Sequence, residues 1–178
     1  NLKPDINVIL GDRDEMLAST IAAYHMNIPN AHIHGGDKSK GGIDEYNRHA
    51  ITKMSNIHFA VSQQSKKRIL RMGEDPKFVF LTGSPSIDEI KSKAISDKKT
   101  LMEKYAINFS GKEILLVQHS VTTETKKSKI QIQNILTAIN KFNNTIIAIL
   151  PNSDPGRESI QKELKNFSKK NKKFYLFN

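Results

Sequence analysis

Short apolar runs alternate along the chain with longer segments in which apolar residues recur every three or four positions. INVIL at 6–10 is rich in β-branched residues and stops at Gly11-Asp12, the pattern of a buried strand. From Glu15 to Met26, Leu17, Ile21 and Tyr24 fall at helical spacing. The rhythm repeats with AHIH at 31–34, a helix from Asp44 to about Ser55, HFAV at 58–61, a helix from about Gln63 to Met72, and FVFL at 78–81. Strands separated by single helices predict βαβ units and a parallel sheet. Residues 91–112 are polar, with one short amphipathic piece from Leu101 to Tyr105, and read as a connector. A second alternation follows: EILLVQH at 113–119, a helix with Ile132, Ile135, Leu136, Ile139 and Phe142 on one face, TIIAIL at 145–150, another helix, and FYLF at 174–177.

The expectation is therefore an α/β chain in two parts, residues 1–93 and 94–178, built on doubly wound parallel sheets. The chain opens on a strand and stops just after one. Sheets of three or four strands have edges that must be covered or paired. The middle of a longer two-domain protein is the expected reading, ahead of a small complete one.

The bulk properties narrow the class. A hydrophobic content of 37% over 178 residues fits a globular protein with real cores and excludes a disordered one. No apolar run approaches the ~20 residues of a membrane span, and Asn1-Leu2-Lys3-Pro4 does not read as a signal peptide. The absence of cysteine rules out disulfides and thiolate metal sites and points to the cytoplasm. The net charge of +10 is uneven: 13 Lys+Arg stand against 11 Asp+Glu in residues 1–93, and 15 against 7 in residues 94–178. Many of these lysines interleave with Asn and Ser between Lys162 and Lys173, as on a solvated helix face. A modest attraction to anionic ligands such as nucleotides is the competing reading.

Open parallel sheets bind ligands beyond the carboxyl ends of their strands. Each apolar run here ends in small or reactive residues: Gly11-Asp12-Arg13, His34-Gly35-Gly36, Thr82-Gly83-Ser84-Pro85, His119-Ser120-Val121-Thr122-Thr123 and Pro151-Asn152-Ser153-Asp154. Five such ends together favour an enzyme. Arg13, at a helix start, suits a phosphate, while Asp12 suits either an N-cap or a site carboxylate. His32 and His34 lie two apart on one strand face, a spacing that can hold a metal. No third ligand accompanies them, so none is expected; His32 reads as a core histidine and His34 as the one facing a ligand. Asp44 and Glu45 open a helix with Arg48 and His49 one turn on, behind a Gly41-Gly42 lead-in that suits close approach to a substrate.

These motifs resemble one family. GDR at 11–13, AHIHGGD, GGIDEYNRHAITKMS, GEDPKFVFLTGSPSIDEI, VQHSVTTET at 117–125 and LPNSDPG at 150–156 are similar, in order, to the hydrolysing UDP-N-acetylglucosamine 2-epimerases. The resemblance implies two Rossmann-like domains of the glycosyltransferase-B type, with a nucleotide sugar bound in the cleft between them. Residues 1–93 correspond to the second half of the N-terminal domain, and 94–178 to the connector and the first half of the C-terminal one. The family's opening βαβ units and its later Ser-rich uridine-diphosphate site find no match, so the segment alone is expected to be inactive.

The implied chemistry is elimination of UDP to a glycal, followed by hydration to a free 2-epimerised sugar such as N-acetylmannosamine. By motif, Asp12 and Asp44 are the acid/base carboxylates and His119 lies beside the leaving diphosphate. Arg13, Arg48 and Asn152 are on the substrate-binding side, with Arg48 orienting the site. Many members read HIEGGE where this chain reads HIHGGD, so His34 stands at the place of a catalytic glutamate; imidazole can also move a proton near neutrality. Relatives acting on diacetamido-trideoxy sugars, in legionaminic-acid synthesis, leave the sugar open. The resemblance implies no cofactor and a homo-oligomeric full-length enzyme, and neither nucleic acid nor membrane is expected as a partner. A non-hydrolysing 2-epimerase and a non-catalytic nucleotide- or RNA-binding domain are the alternatives; the second is poorly served by 7% aromatic residues.

Overall fold

In the first unit, Asn1–Ala94, the apolar runs become four parallel strands: β1 (Asn7–Leu10), β2 (Asn30–Ile33), β3 (Ile57–Ala60) and β4 (Val79–Leu81). Helices α1 (Asp14–His25), α2 (Asp44–Lys53) and α3 (Gln63–Arg71) connect them, and α4 (Pro85–Ser92) follows. The computed structural model describes residues 3–39, 42–93 and 95–178.

Strand order is β1-β2-β3-β4. The register aligns Ile9, His32, His58 and Val79 in one row across the sheet, all buried. The adjacent row, Leu10, Ile33, Phe59 and Phe80, lies on the opposite face by strand alternation. Because the order never reverses, right-handed crossovers place α1, α2 and α3 on one face. The other face keeps Val8 60%, Leu10 54% and Phe80 46% exposed.

The second unit, Ile95–Asn178, contains α5 (Lys98–Tyr105), β5 (Ile114–Val117), α6 (Ser128–Ile139), β6 (Ile146–Ile149), α7 (Arg157–Ser168) and β7 (Phe174–Phe177). Its strands are parallel in the order β5-β6-β7. Leu116, Ile146, Ala148 and Phe174 pack against Ile132 and Leu136 of α6 and Ile160 and Leu164 of α7. Tyr105 of α5 meets Phe177 edge to face at 5.3 Å.

Four sequence expectations change. The segment read as a polar connector contains α5, capped by the Asp97 carboxylate accepting from the Thr100 amide at 2.7 Å. It also contains Ile107, which is buried. Helix α4 lies where only a strand end was expected. Phe142 does not share the packed face of α6: the helix ends at Ile139, a 3-10 turn follows, and the ring is exposed. Finally, His32 and His34 do not lie on one strand face. Strand β2 ends at Ile33, and His34 adopts a left-handed backbone with φ 69, which breaks the two-residue alternation.

Candidate active site

The site of the first unit is built at the carboxyl ends of β1 and β2 and the start of α2. Gly11, with φ 83, turns the chain out of β1, and its carbonyl accepts from His32 Nε2 at 2.9 Å. That bond places the hydrogen on Nε2, so Nδ1 accepts from the Thr52 hydroxyl at 3.1 Å. His32 is thus a neutral core histidine. Burial, only partly offset by the Gly11 carbonyl, pushes it down to about 4.

Asp12, the next residue, receives Arg48. The guanidinium donates to Oδ2 through Nε at 2.7 Å and through a second, short bond from Nη2; among the described residues, Oδ1 takes no hydrogen bond. Arg48, with its side chain 5% exposed, also donates to Glu45 Oε2 at 2.7 Å, the Asp37 carbonyl at 2.9 Å and Ser39 Oγ at 2.9 Å. Burial works against the guanidinium charge, but Asp12 and Glu45 outweigh it and raise its pKa. Burial likewise pushes Glu45 up, but the Ser39 amide, Arg48 and His49 hold it below the usual carboxylate range. This buried cation ties together the end of β1, the loop after β2 and the start of α2.

His34 follows β2, and its Nδ1 lies 2.9 Å from Asp37 Oδ2. Its Nε2 lies 3.4 Å from Ser84 Oγ, on the loop after β4. The intervening glycines are set by packing. A Cβ on Gly36 would sit 2.3 Å from the Ser65 carbonyl oxygen, and one on Gly35 would sit 2.9 Å from His32 Nδ1. Asp44 is the first residue of α2, half-buried, and Arg13 is the N-cap position of α1, near Glu15 at 3.4 Å. Gly41 of the glycine lead-in lies outside the described residues. No group of three or more His, Asp or Glu side chains suited to a metal occurs among the described residues.

In the second unit, His119 and Asn152 form their own pair beyond β5 and β6. The Asn152 amide donates to His119 Nδ1 at 3.1 Å, which leaves the imidazole hydrogen on the exposed Nε2. The Asn152 side-chain amide donates to Asp154 at 2.7 Å. His34 and His119 therefore present opposite faces of the same chemistry. A carboxylate fixes the first as an acceptor at Nε2, and a backbone amide fixes the second as a donor there. Asp37 was not singled out from the sequence, and Glu45 and Ser84 were named there without a role beside Arg48 and His34. Their signal was the D of HIHGGD, the E of GGIDE and the strand-end position of TGSP.

A sequence profile of the UDP-N-acetylglucosamine 2-epimerases matches residues 1–177. The chain belongs to this family. It is 42% identical over 164 residues to the UDP-N,N'-diacetylbacillosamine 2-epimerase (hydrolyzing) of Legionella pneumophila, covering 92% of the chain and 43% of that relative. It is 39% identical over 174 residues to the polysialic acid biosynthesis protein P7 of Escherichia coli, covering 97% of the chain and 44% of that protein. Among solved structures, the UDP-GlcNAc 2-epimerase of Neisseria meningitidis bound to UDP-GlcNAc superposes with a TM-score of 0.75 at 22% identity. That match covers 98% of the chain and 49% of the other, and it supports the α/β fold with parallel sheets. The chain thus spans somewhat less than half the length of the relatives it matches.

Proposed function

We propose that these residues form the central part of a hydrolysing 2-epimerase acting on a nucleoside-diphosphate 2-acetamido sugar. The supporting observation is the Arg48-centred network that aims Asp12 and anchors the loop carrying His34, in a chain 42% identical to a hydrolysing enzyme of that class. That relative's substrate, with the His34 departure, favours a UDP-linked diacetamido-trideoxy sugar.

In this reading a side-chain base removes the proton on C2 while the C1–O bond to the diphosphate breaks, giving a glycal and UDP. Water then adds, its hydroxyl to C1 and a proton to C2 on the opposite face. The net reaction consumes one water and releases UDP and the free 2-epimer. The C2 proton is weakly acidic, so proton transfer and stabilisation of the departing diphosphate share the barrier. Asp12, His34 and Asp44 are assigned proton transfer. His119 offers its Nε2 hydrogen to the leaving diphosphate. Arg13 and Asn152 contact the substrate, and Arg48 orients Asp12. A cytoplasmic place of action and a homo-oligomeric whole enzyme belong to the same proposal and rest on family resemblance.

The test is product analysis with the intact enzyme. Incubation with UDP-N,N'-diacetylbacillosamine, and separately with UDP-N-acetylglucosamine, should release UDP and free sugar in equal amounts. Recovery of an epimerised nucleotide sugar without free sugar would point to the non-hydrolysing reaction. Absence of turnover, with salt-sensitive binding to RNA, would point away from an enzyme.

A further inference from the structure

We propose that Asp37 is the positioning residue for His34, selecting the tautomer of its neutral ring with the hydrogen on Nδ1 and the lone pair on Nε2. The proposal rests on the epimerase reading for its catalytic consequence but not for its geometry.

A carboxylate only accepts hydrogen bonds. The 2.9 Å contact between Asp37 Oδ2 and His34 Nδ1 therefore requires the hydrogen on Nδ1. In the neutral ring Nε2 is then the basic atom, facing Ser84 Oγ at 3.4 Å. Asp37 is itself fixed. Its Oδ1 accepts from Ser65 Oγ at 2.6 Å, which uses the single hydrogen of that buried hydroxyl. Ser62 Oγ, 2.7 Å from Ser65 Oγ, must then donate to it. Every hydrogen runs one way along Ser62, Ser65 and Asp37, and that direction dictates the imidazole tautomer.

The backbone is held as firmly as the side chain. Arg48 donates to the Asp37 carbonyl at 2.9 Å, and Arg68 donates to the Gly36 carbonyl. Gly36 packs so closely on Ser65 that no Cβ fits. His34 takes a left-handed φ of 69, a backbone that residues bearing a Cβ disfavour. That turn lets a residue three positions on reach the imidazole. A glutamate at position 34 would need no such partner, because either of its oxygens can take a proton. A histidine does need one, because only one nitrogen of the neutral ring is basic.

The experiment is Asp37→Asn in the intact enzyme, read by kinetics and by ¹⁵N NMR of the labelled histidines, with His34→Gln assigning the resonances. With Ser65 still donating to the side-chain oxygen, the new amide faces Nδ1 as a donor and drives the hydrogen to Nε2. The expected result is a change of tautomer at His34, a kcat lowered roughly 10²-fold or more, and a KM changed less than about threefold. Ser65→Ala, which removes only the buttress, should lower kcat about three- to tenfold, and it supplies the kinetic test if Asp37→Asn does not fold. An unchanged tautomer in Asp37→Asn, or unchanged kcat in either variant, overturns the proposal. If the wild-type enzyme turns over no nucleotide sugar, the catalytic reading fails, whereas the tautomer readout still decides whether Asp37 positions His34.

Discussion

Lowering the pH from 7.5 to 4.5 should remove a defined part of the first unit's stability through His32. Its imidazole is buried beneath the sheet and neutral, donating to the Gly11 carbonyl and accepting from Thr52. Burial moves it from the ordinary 6.5 to about 4. Between about pH 6.5 and 4 the unfolded chain thus binds a proton that the folded one refuses. Stability from this group is complete above pH 6.5 and is lost as the pH falls toward 4. At about 1.4 kcal/mol per pH unit the full difference is about 3 kcal/mol, of which about 2.5 kcal/mol is gone by pH 4.5. His58, in the next strand, is shifted the same way by its own burial, so the wild-type curve alone does not isolate His32. The assay is urea unfolding followed by circular dichroism, comparing wild type with His32→Gln, whose amide can still donate to the Gly11 carbonyl. The wild-type advantage at pH 7.5 should shrink by about 2.5 kcal/mol at pH 4.5. An advantage constant to within about 0.5 kcal/mol would refute the linkage, and with it the assignment of His32 as a neutral clamp on the turn before Asp12.

Gly36→Ala should destabilise by roughly 3 kcal/mol or more, since its Cβ meets the Ser65 carbonyl oxygen and its φ is 72. Gly73→Ala, with φ 89 but open space around it, should cost only about 1–2 kcal/mol; equal melting temperatures for the two variants would contradict this. In the intact enzyme, Asp12→Asn and Asp44→Asn should each lower kcat roughly 10²-fold or more. Asp12→Asn should also lower the melting temperature, because buried Arg48 loses one of two counter-charges, so a full kcat with unchanged melting would return Asp12 to the surface.

The strands were legible because each is a short apolar run bounded by turn residues, as at INVIL and TIIAIL. Asp12, His119 and Asn152 were legible as motif residues at strand ends, and Arg48 as a motif residue one turn into a helix. Their partners were not. Arg48 meets Asp12 across 36 positions and His119 meets Asn152 across 33, and no periodicity encodes such pairings. Helix α4 was hidden because its apolar residues, Ile87 and Ile90, are both exposed, so it lacks a buried stripe. The left-handed turn at His34 was hidden because only the fixed position of Asp37 and the packing of Gly36 on α3 enforce it.

Elimination and hydration differ from every simpler cleavage of a nucleotide sugar in what happens at C2. The decisive measurement is to run the intact enzyme in deuterium oxide and examine the released sugar by mass spectrometry and NMR. Removal of the C2 proton and its replacement on the opposite face predict one solvent deuterium at C2 of the 2-epimer. A bridging oxygen labelled beforehand should leave entirely with UDP, because the C1–O bond is the one that breaks. Free sugar with its original C2 hydrogen and configuration would contradict the elimination, together with the proton-transfer roles given to Asp12, His34 and Asp44.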